Sequence, residues 1–222
     1  MRNLTIALFA EGSTDYRFLP VVIQRTAEKI LCENLSPDVS VLEPLPIDKN
    51  VHGQTGAAKI VEAARIAAGV DLLIVHSDSD NRTLEKTREE QFDPGKRLID
   101  LFPGDICKEV IPIIPVKNIE AWLLADIDAF RLVVGTNLSE QQLNIPLHQR
   151  QVESIPDPKL VYREAVRIAL TERRKRGSIN TGAYYEPLAR EIDLEKLKLV
   201  PAFRTFYDDF VSFLRQQRFI LN

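Results

Sequence analysis

The segment Val70 to Asn81, VDLLIVHSDSDN, constrains the fold more than any other part of the chain. Val70, Leu72, Leu73, Ile74 and Val75 form a continuous apolar run rather than an alternating one. Such a run fits a strand covered on both faces, as in a parallel sheet flanked by helices. Its C-terminal end turns polar and carries Asp78 and Asp80. In an extended segment residues i and i+2 point the same way, so the two carboxylates would face one point. Like charges that close need something positive between them. A hard divalent cation with oxygen ligands is the usual answer.

The first 134 residues repeat this theme. Leu4–Ala10 is a second β-rich apolar run ending at Glu11-Gly12, with Ser13 as a suitable helix N-cap. From Asp15 to about Leu31, the residues Phe18, Leu19, Val22, Ile23, Ala27 and Ile30 recur at helical spacing. Pro20 either kinks that helix or marks where it properly begins. Val39–Ile47 reads as a strand, held to an edge by Pro44 and Pro46. After the loop His52–Gly56 comes a helix over Ala57–Ala68, stopped by Gly69. A polar stretch over Arg82–Gln91, a helix over Pro94–Phe102, a strand over Glu109–Val116 and a helix over Asn118–Asp126 complete the series. This alternation predicts a Rossmann-like α/β domain over 1–134 with a mainly parallel sheet. Beyond Gly135 the pattern is helical: Lys159–Arg173 with Asp157 as cap, then Tyr184–Ile192 and Pro201–Gln217. These predict a helical extension over 135–222 packed on the sheet.

Across 222 residues a net charge of −3 gives no global nucleic-acid signature. A polyanion would have to be met by a local basic patch or through a metal. Cys32 and Cys107 lack any metal-binding spacing and read as reduced thiols of a cytoplasmic protein. No apolar run is long enough for a signal segment or a membrane span, so no membrane partner is expected.

Ligands of parallel sheets gather at the carboxyl ends of strands. Glu11, the Asp78/Asp80 pair and the turn Lys117, Asn118, Glu120 all follow strands directly. Lys117 is placed to pair with the acids or with a phosphate. Asp15 reads as a charge complementing its helix dipole, His76 as a structural histidine and Trp122 as core. Lys59, with His52 and Gly53, could reach a phosphate, although the loop lacks a Walker G-K-[ST] ending. The run containing Arg173, Arg174 and Arg176 is either a solvated helix end or the basic patch that a phosphodiester would need.

ALFAEGSTD and LLIVHSDSD together resemble the Toprim domain, shared by topoisomerases, bacterial primases and OLD-type nucleases. Its pattern is strand–Glu–Gly–x–x–Asp/Glu, followed by strand–Asp–x–Asp. NIEAWLLAD, IPDPK and PAFRTFYDDF are similar to further segments of a branch found beside AAA-type ATPases in prokaryotic genomes. The resemblance implies a Toprim-like fold with Glu11 as acid/base or metal-organising residue, and Asp78 and Asp80 as ligands of Mg²⁺ or Mn²⁺. Glu120 would add a ligand or a positioning acid, and Gly12 would let the backbone approach a phosphate. A third acid that many Toprim members place after the DxD is replaced here by Asn81 and Arg82, which argues against a second ion. The expected activity is a metal-dependent nuclease or phosphoryl transfer on nucleic acid, in a defence setting with an ATPase partner. A homodimer stays open. Two other readings stand beside it: a non-catalytic regulatory or toxin-like subunit that binds a partner protein, and a phosphohydrolase of small nucleotides.

Overall fold

The computed structural model describes residues 2–36, 38–48, 50–80, 82–145, 149–171 and 179–221. Arg173, Arg174, Arg176 and Asn81 therefore lie outside the described residues. The fold is mixed α/β, with a parallel sheet flanked by helices in the Rossmann-like manner expected. Strands β1 (Arg2–Leu4) and β2 (Ile6–Phe9) run into helix α1 (Asp15–Glu33). Strands β3 (Val39–Val41) and β4 (Leu45–Ile47) follow, then α2 (Gly56–Ile66) and β5 (Leu72–His76). Next come α3 (Leu84–Thr87), a π-helical turn over Arg88–Phe92, α4 (Asp93–Leu101) and β6 (Val110–Ile113).

The main sheet has the order β4–β2–β5–β6, every pair parallel, and β1 pairs with β3 alongside it. Chain direction across the sheet therefore reverses after β4, which makes the gap between β2 and β5 its switch point. That reversal sends the crossovers to opposite faces. One face, lined by Ala7, Phe9, Leu73 and Val75, is covered by α2 and α4. The other, lined by Ile6, Leu8, Leu72 and Ile74, receives α1 alone from the α/β segment.

The C-terminal helices cover the rest of that second face. They are α5 (Glu120–Leu123), α6 (Ile127–Val134), α7 (Pro158–Thr171), α8 (Tyr185–Glu191), α9 (Leu194–Leu197) and α10 (Pro201–Gln216). The core there is continuous from Leu4 in the first strand to Ile220, so sheet and extension share one interior. The IEAWLLAD segment is the seam. Trp122 is fully buried and meets Phe203 of α10 edge-on, with centroids 5.2 Å apart. Buried Asp126 caps α6 by accepting from Asp128 N and Ala129 N. It also accepts from Asp193 N at 3.0 Å and from the Lys196 ammonium at 2.6 Å.

Several local readings change: the strand expected over Val39–Ile47 divides into β3 and β4, which join different sheets, and α1 starts from Thr14, without a side-chain cap, rather than from Ser13. Helix α1 begins at Asp15 and contains Pro20, so the proline does not mark its start. The single helix expected over Asn118–Asp126 is broken, because Asp126 serves as the cap of the next one. The polar stretch before Pro94 is helical: Thr83 caps it by accepting from Lys86 N, and a π turn joins it to α4. No helix among the described residues is long and apolar enough to cross a membrane.

Because Asp126 satisfies two helix-end amides, a loop amide and a buried-side ammonium at once, Asp126→Ala should cost about 3 kcal/mol in urea unfolding. An unchanged midpoint would show that the seam is held by packing alone.

Candidate functional site at the switch point

The register Phe9↔Val75 carries on past the ends of both strands. Two residues further, Glu11 stands level with Ser77, and the Ser77 hydroxyl donates to Glu11 Oε1 at 2.7 Å. Gln91, delivered by the π turn, touches the same Ser77 oxygen. A hydroxyl has one proton, so Glu11 Oε1 and Gln91 Oε1 are alternative acceptors for Ser77. Glu11 is exposed and opens onto a cleft of about 710 Å³ that Lys59, Gln54, Gln91 and the start of α2 also line. By the alternation of β5, Ser77 shares the face of Leu73 and Val75, the α2 side.

The other parity of the strand end does something different. His76 falls with Leu72 and Ile74 on the α1 side and is fully buried. Its Nδ1 lies 3.3 Å from Asp15 Oδ2, and its Nε2 lies 3.3 Å from Asp78 Oδ1. At that length and alignment the contacts are ion pairs rather than good hydrogen bonds, and both ring nitrogens lack a hydrogen-bond partner. Burial alone would push the imidazole down. The two carboxylates outweigh it and push His76 up to about 10. Burial raises Asp15, but His76 and the Gly12 amide outweigh burial and hold Asp15 below the usual carboxylate range. The Gly12 amide donates to Asp15 Oδ2 at 2.8 Å, and a Cβ on Gly12 would meet that same oxygen at 2.8 Å. Glycine is thus needed here for close approach to a side chain.

These contacts correct the geometric argument for Asp78 and Asp80. The chain leaves the extended conformation after His76, and Asp80 adopts a left-handed backbone with φ 53°. The two side chains are therefore not set on one side by a strand. The carboxylate that Asp78 shares a cation with is Asp15, and the cation is an imidazolium. Among the described residues, no group of three or more His, Cys, Asp or Glu side chains is placed to hold a metal ion. Asp80 is exposed, and Asp78 keeps its buried Oδ1 against His76 with the remainder partly exposed.

The third strand end contributes through its backbone. Lys117, also left-handed at φ 66°, donates its amide to Ser79 Oγ at 2.8 Å and accepts from Asp80 N at 3.1 Å. Two non-glycine residues held in that region store local strain, a feature that collects at functional loops. Glu120, expected as a ligand or positioning acid, is buried and accepts from the Tyr185 hydroxyl at 2.7 Å. Burial lifts its pKa above the usual carboxylate range. It thereby joins the strand end to α8 of the extension. Lys59 is exposed at the cleft.

Ser77, Gln91 and the pairing of Asp15 with His76 are the residues that sequence reasoning missed. Ser77 was findable only with the β2–β5 register in hand, and Gln91 only with the π turn. When the chain is compared with models of protein families, residues 10–210 match DUF4276, a domain of unknown function. No curated protein and no solved structure matches.

Because the folded-state pKa of His76 lies above its unfolded value, its stabilising contribution is complete below about pH 6.5 and is lost as pH rises through about 10. Imidazole NMR should show one of the three histidines still fully protonated at pH 8. Three ordinary titrations near 6.5 would dissolve the triad.

Proposed function

The chain belongs to the DUF4276 family, and from its strand-end site we propose metal-dependent phosphoryl transfer, cleaving phosphodiesters of nucleic acid in a Toprim-like manner. The observation that carries this reading is the Glu11–Ser77 contact across adjacent strand ends at the switch point, with Asp78 the next residue. Parallel α/β sheets bind ligands at that point. The carboxylates nearest that point are Glu11 after β2 and Asp78 and Asp80 in the loop after β5, which the described structure does not gather around one position. Mg²⁺ or Mn²⁺ takes such hard donors in ones and twos, beside waters and substrate phosphates, and needs no all-protein cage. Bound there, the ion would neutralise charge building on the phosphoryl group and acidify a water.

The chain's own residues have separable tasks in this scheme. Glu11 accepts the proton of the attacking water, with its carboxylate held in one orientation by Ser77. His76 anchors Oδ1 of Asp78, which leaves the rest of that carboxylate toward the strand ends. Lys59 faces a phosphate across the cleft. Lys117 remains a candidate for the same task at the third strand end. An ATPase partner and a homodimer enter the proposal only through the Toprim resemblance. The small-nucleotide phosphohydrolase reading gains support from the cleft, whose roughly 710 Å³ suits a ligand of nucleotide size.

With Mg²⁺ and an oligonucleotide panel, Glu11→Gln and Asp78→Asn should each lower cleavage about 100-fold, the scale of losing one acid–base or charge-stabilising group. Ser77→Ala should lower it about tenfold. Cleavage that survives both carboxylate substitutions, in protein that unfolds normally, ends the assignment. Turnover of free nucleotides but not of oligonucleotides would select the phosphohydrolase. Inertness toward both would favour a partner-binding subunit.

A further inference from the structure

The cleft beside Glu11 holds about 710 Å³, and its walls are not alike. Phe9 and Val75 rise from the sheet, Ile60 projects from α2, and Phe92 closes the wall from the π turn. These side chains are almost wholly buried in the second core, so the surface they offer is flat and fixed. Around them stand the amides of Asn50, Gln54 and Gln91, each able to donate and to accept. That mixture suits the edge of a heterocyclic base, which presents donors and acceptors side by side.

The start of α2, one turn before Ile60, suits an anion. Thr55 caps α2 by accepting from Ala58 N at 3.2 Å. The amides of Gly56 and Ala57 come before any intrahelical partner, and both residues line the cleft together with Lys59. The loop leading in is pressed onto this turn: a Cβ on Gly53 would meet Lys59 N at 2.8 Å. Apolar wall, amides and the start of α2 with Lys59 therefore line one space, together with Glu11 and with Glu90, which is paired with Arg82 and Lys86, and its size is within the range of small-ligand sites.

We propose that this cleft binds a single nucleotide unit, its base against the Phe9, Ile60 and Phe92 wall and a phosphate at the start of α2 beside Lys59. The proposal rests on the phosphoryl-transfer reading for the position of the reacting bond, next to Glu11, and not for binding itself. A base stacked in a duplex cannot enter such a cleft without leaving its stack. The ligand is then either a free mononucleotide or an unpaired nucleotide of a strand.

Calorimetry in EDTA tests binding apart from cleavage. 5′-AMP and 5′-CMP should bind about tenfold or more tightly than ribose 5-phosphate and inorganic phosphate. Lys59→Glu, at an exposed position, should weaken mononucleotide binding about tenfold. Ala57→Trp, which fills the cleft, should remove it, with circular dichroism unchanged in both variants. Displacement of 5′-AMP by a single-stranded oligonucleotide and not by its duplex identifies an unpaired strand nucleotide as the ligand. Absence of displacement by either identifies the free nucleotide. Equal affinity for 5′-AMP and ribose 5-phosphate, or wild-type binding by Ala57→Trp, overturns the proposal. Nucleotide binding without cleavage of any substrate would overturn the functional reading and leave the cleft as a nucleotide site. Cleavage that needs Glu11, without any nucleotide preference, would do the reverse.

Discussion

A buried imidazolium between two carboxylates fixes the geometry of the strand ends. An isolated charge in a protein interior is costly, and removing one partner of a buried pair leaves the other uncompensated. His76, Asp15 and Asp78 therefore have to be positioned together. Asp15 opens the first helix, His76 ends β5 and Asp78 is the second residue of the loop beyond it. Ion pairing thus links the start of α1 to the end of β5, and Gly12 is the residue whose lack of a side chain lets them approach. The triad carries a net negative charge, which leaves Asp78 able to attract a cation from outside while its inner oxygen is held from within.

The second face of the sheet depends on a different kind of contact. A four-stranded sheet that reverses after one crossover covers one face with α2 and α4 and leaves the other half bare. The extension fills that half through aromatic packing around Trp122 and through acids that reach across the seam. Glu120 holds Tyr185, and Asp126 holds Asp193 and Lys196. The acid of the IEAWLLAD segment that resembles a catalytic group is, by its contacts, a docking group. Its distance from solvent and its raised pKa follow from that role.

How much of this was legible in the sequence depended on whether local information sufficed. The continuous run Leu72–Val75 fits a doubly covered parallel strand, and Glu11 and Asp78 follow strands by simple reading. Side-chain direction at a strand end is another matter, because a shift of one residue moves a group to the opposite face. Glu11 is level with Ser77, while Asp78 turns to the face of His76, and the register that decides this is set by pairing between distant segments. The charge of His76 beside Asp78 is not legible locally, since a histidine among apolar residues looks neutral until Asp15 is brought to it from about sixty residues away. Trp122 and Cys107 are core residues, as their types suggest.

The π turn over Arg88–Phe92 is in effect an α-helix that has accepted one residue too many. Each residue of an α-helix advances the side chains by about 100°, so the extra residue sets the rotational phase of everything on either side of it. Its first residue, Arg88, reaches Asp209 of α10 at 3.1 Å, and its fourth, Gln91, reaches Ser77. A regular α-helix would set a different angle between those two side chains. The segment is therefore a phase adapter, and chain length there is under a stricter constraint than residue identity. Loss of a single residue would restore ordinary helical geometry and uncouple the α10 contact from the strand end.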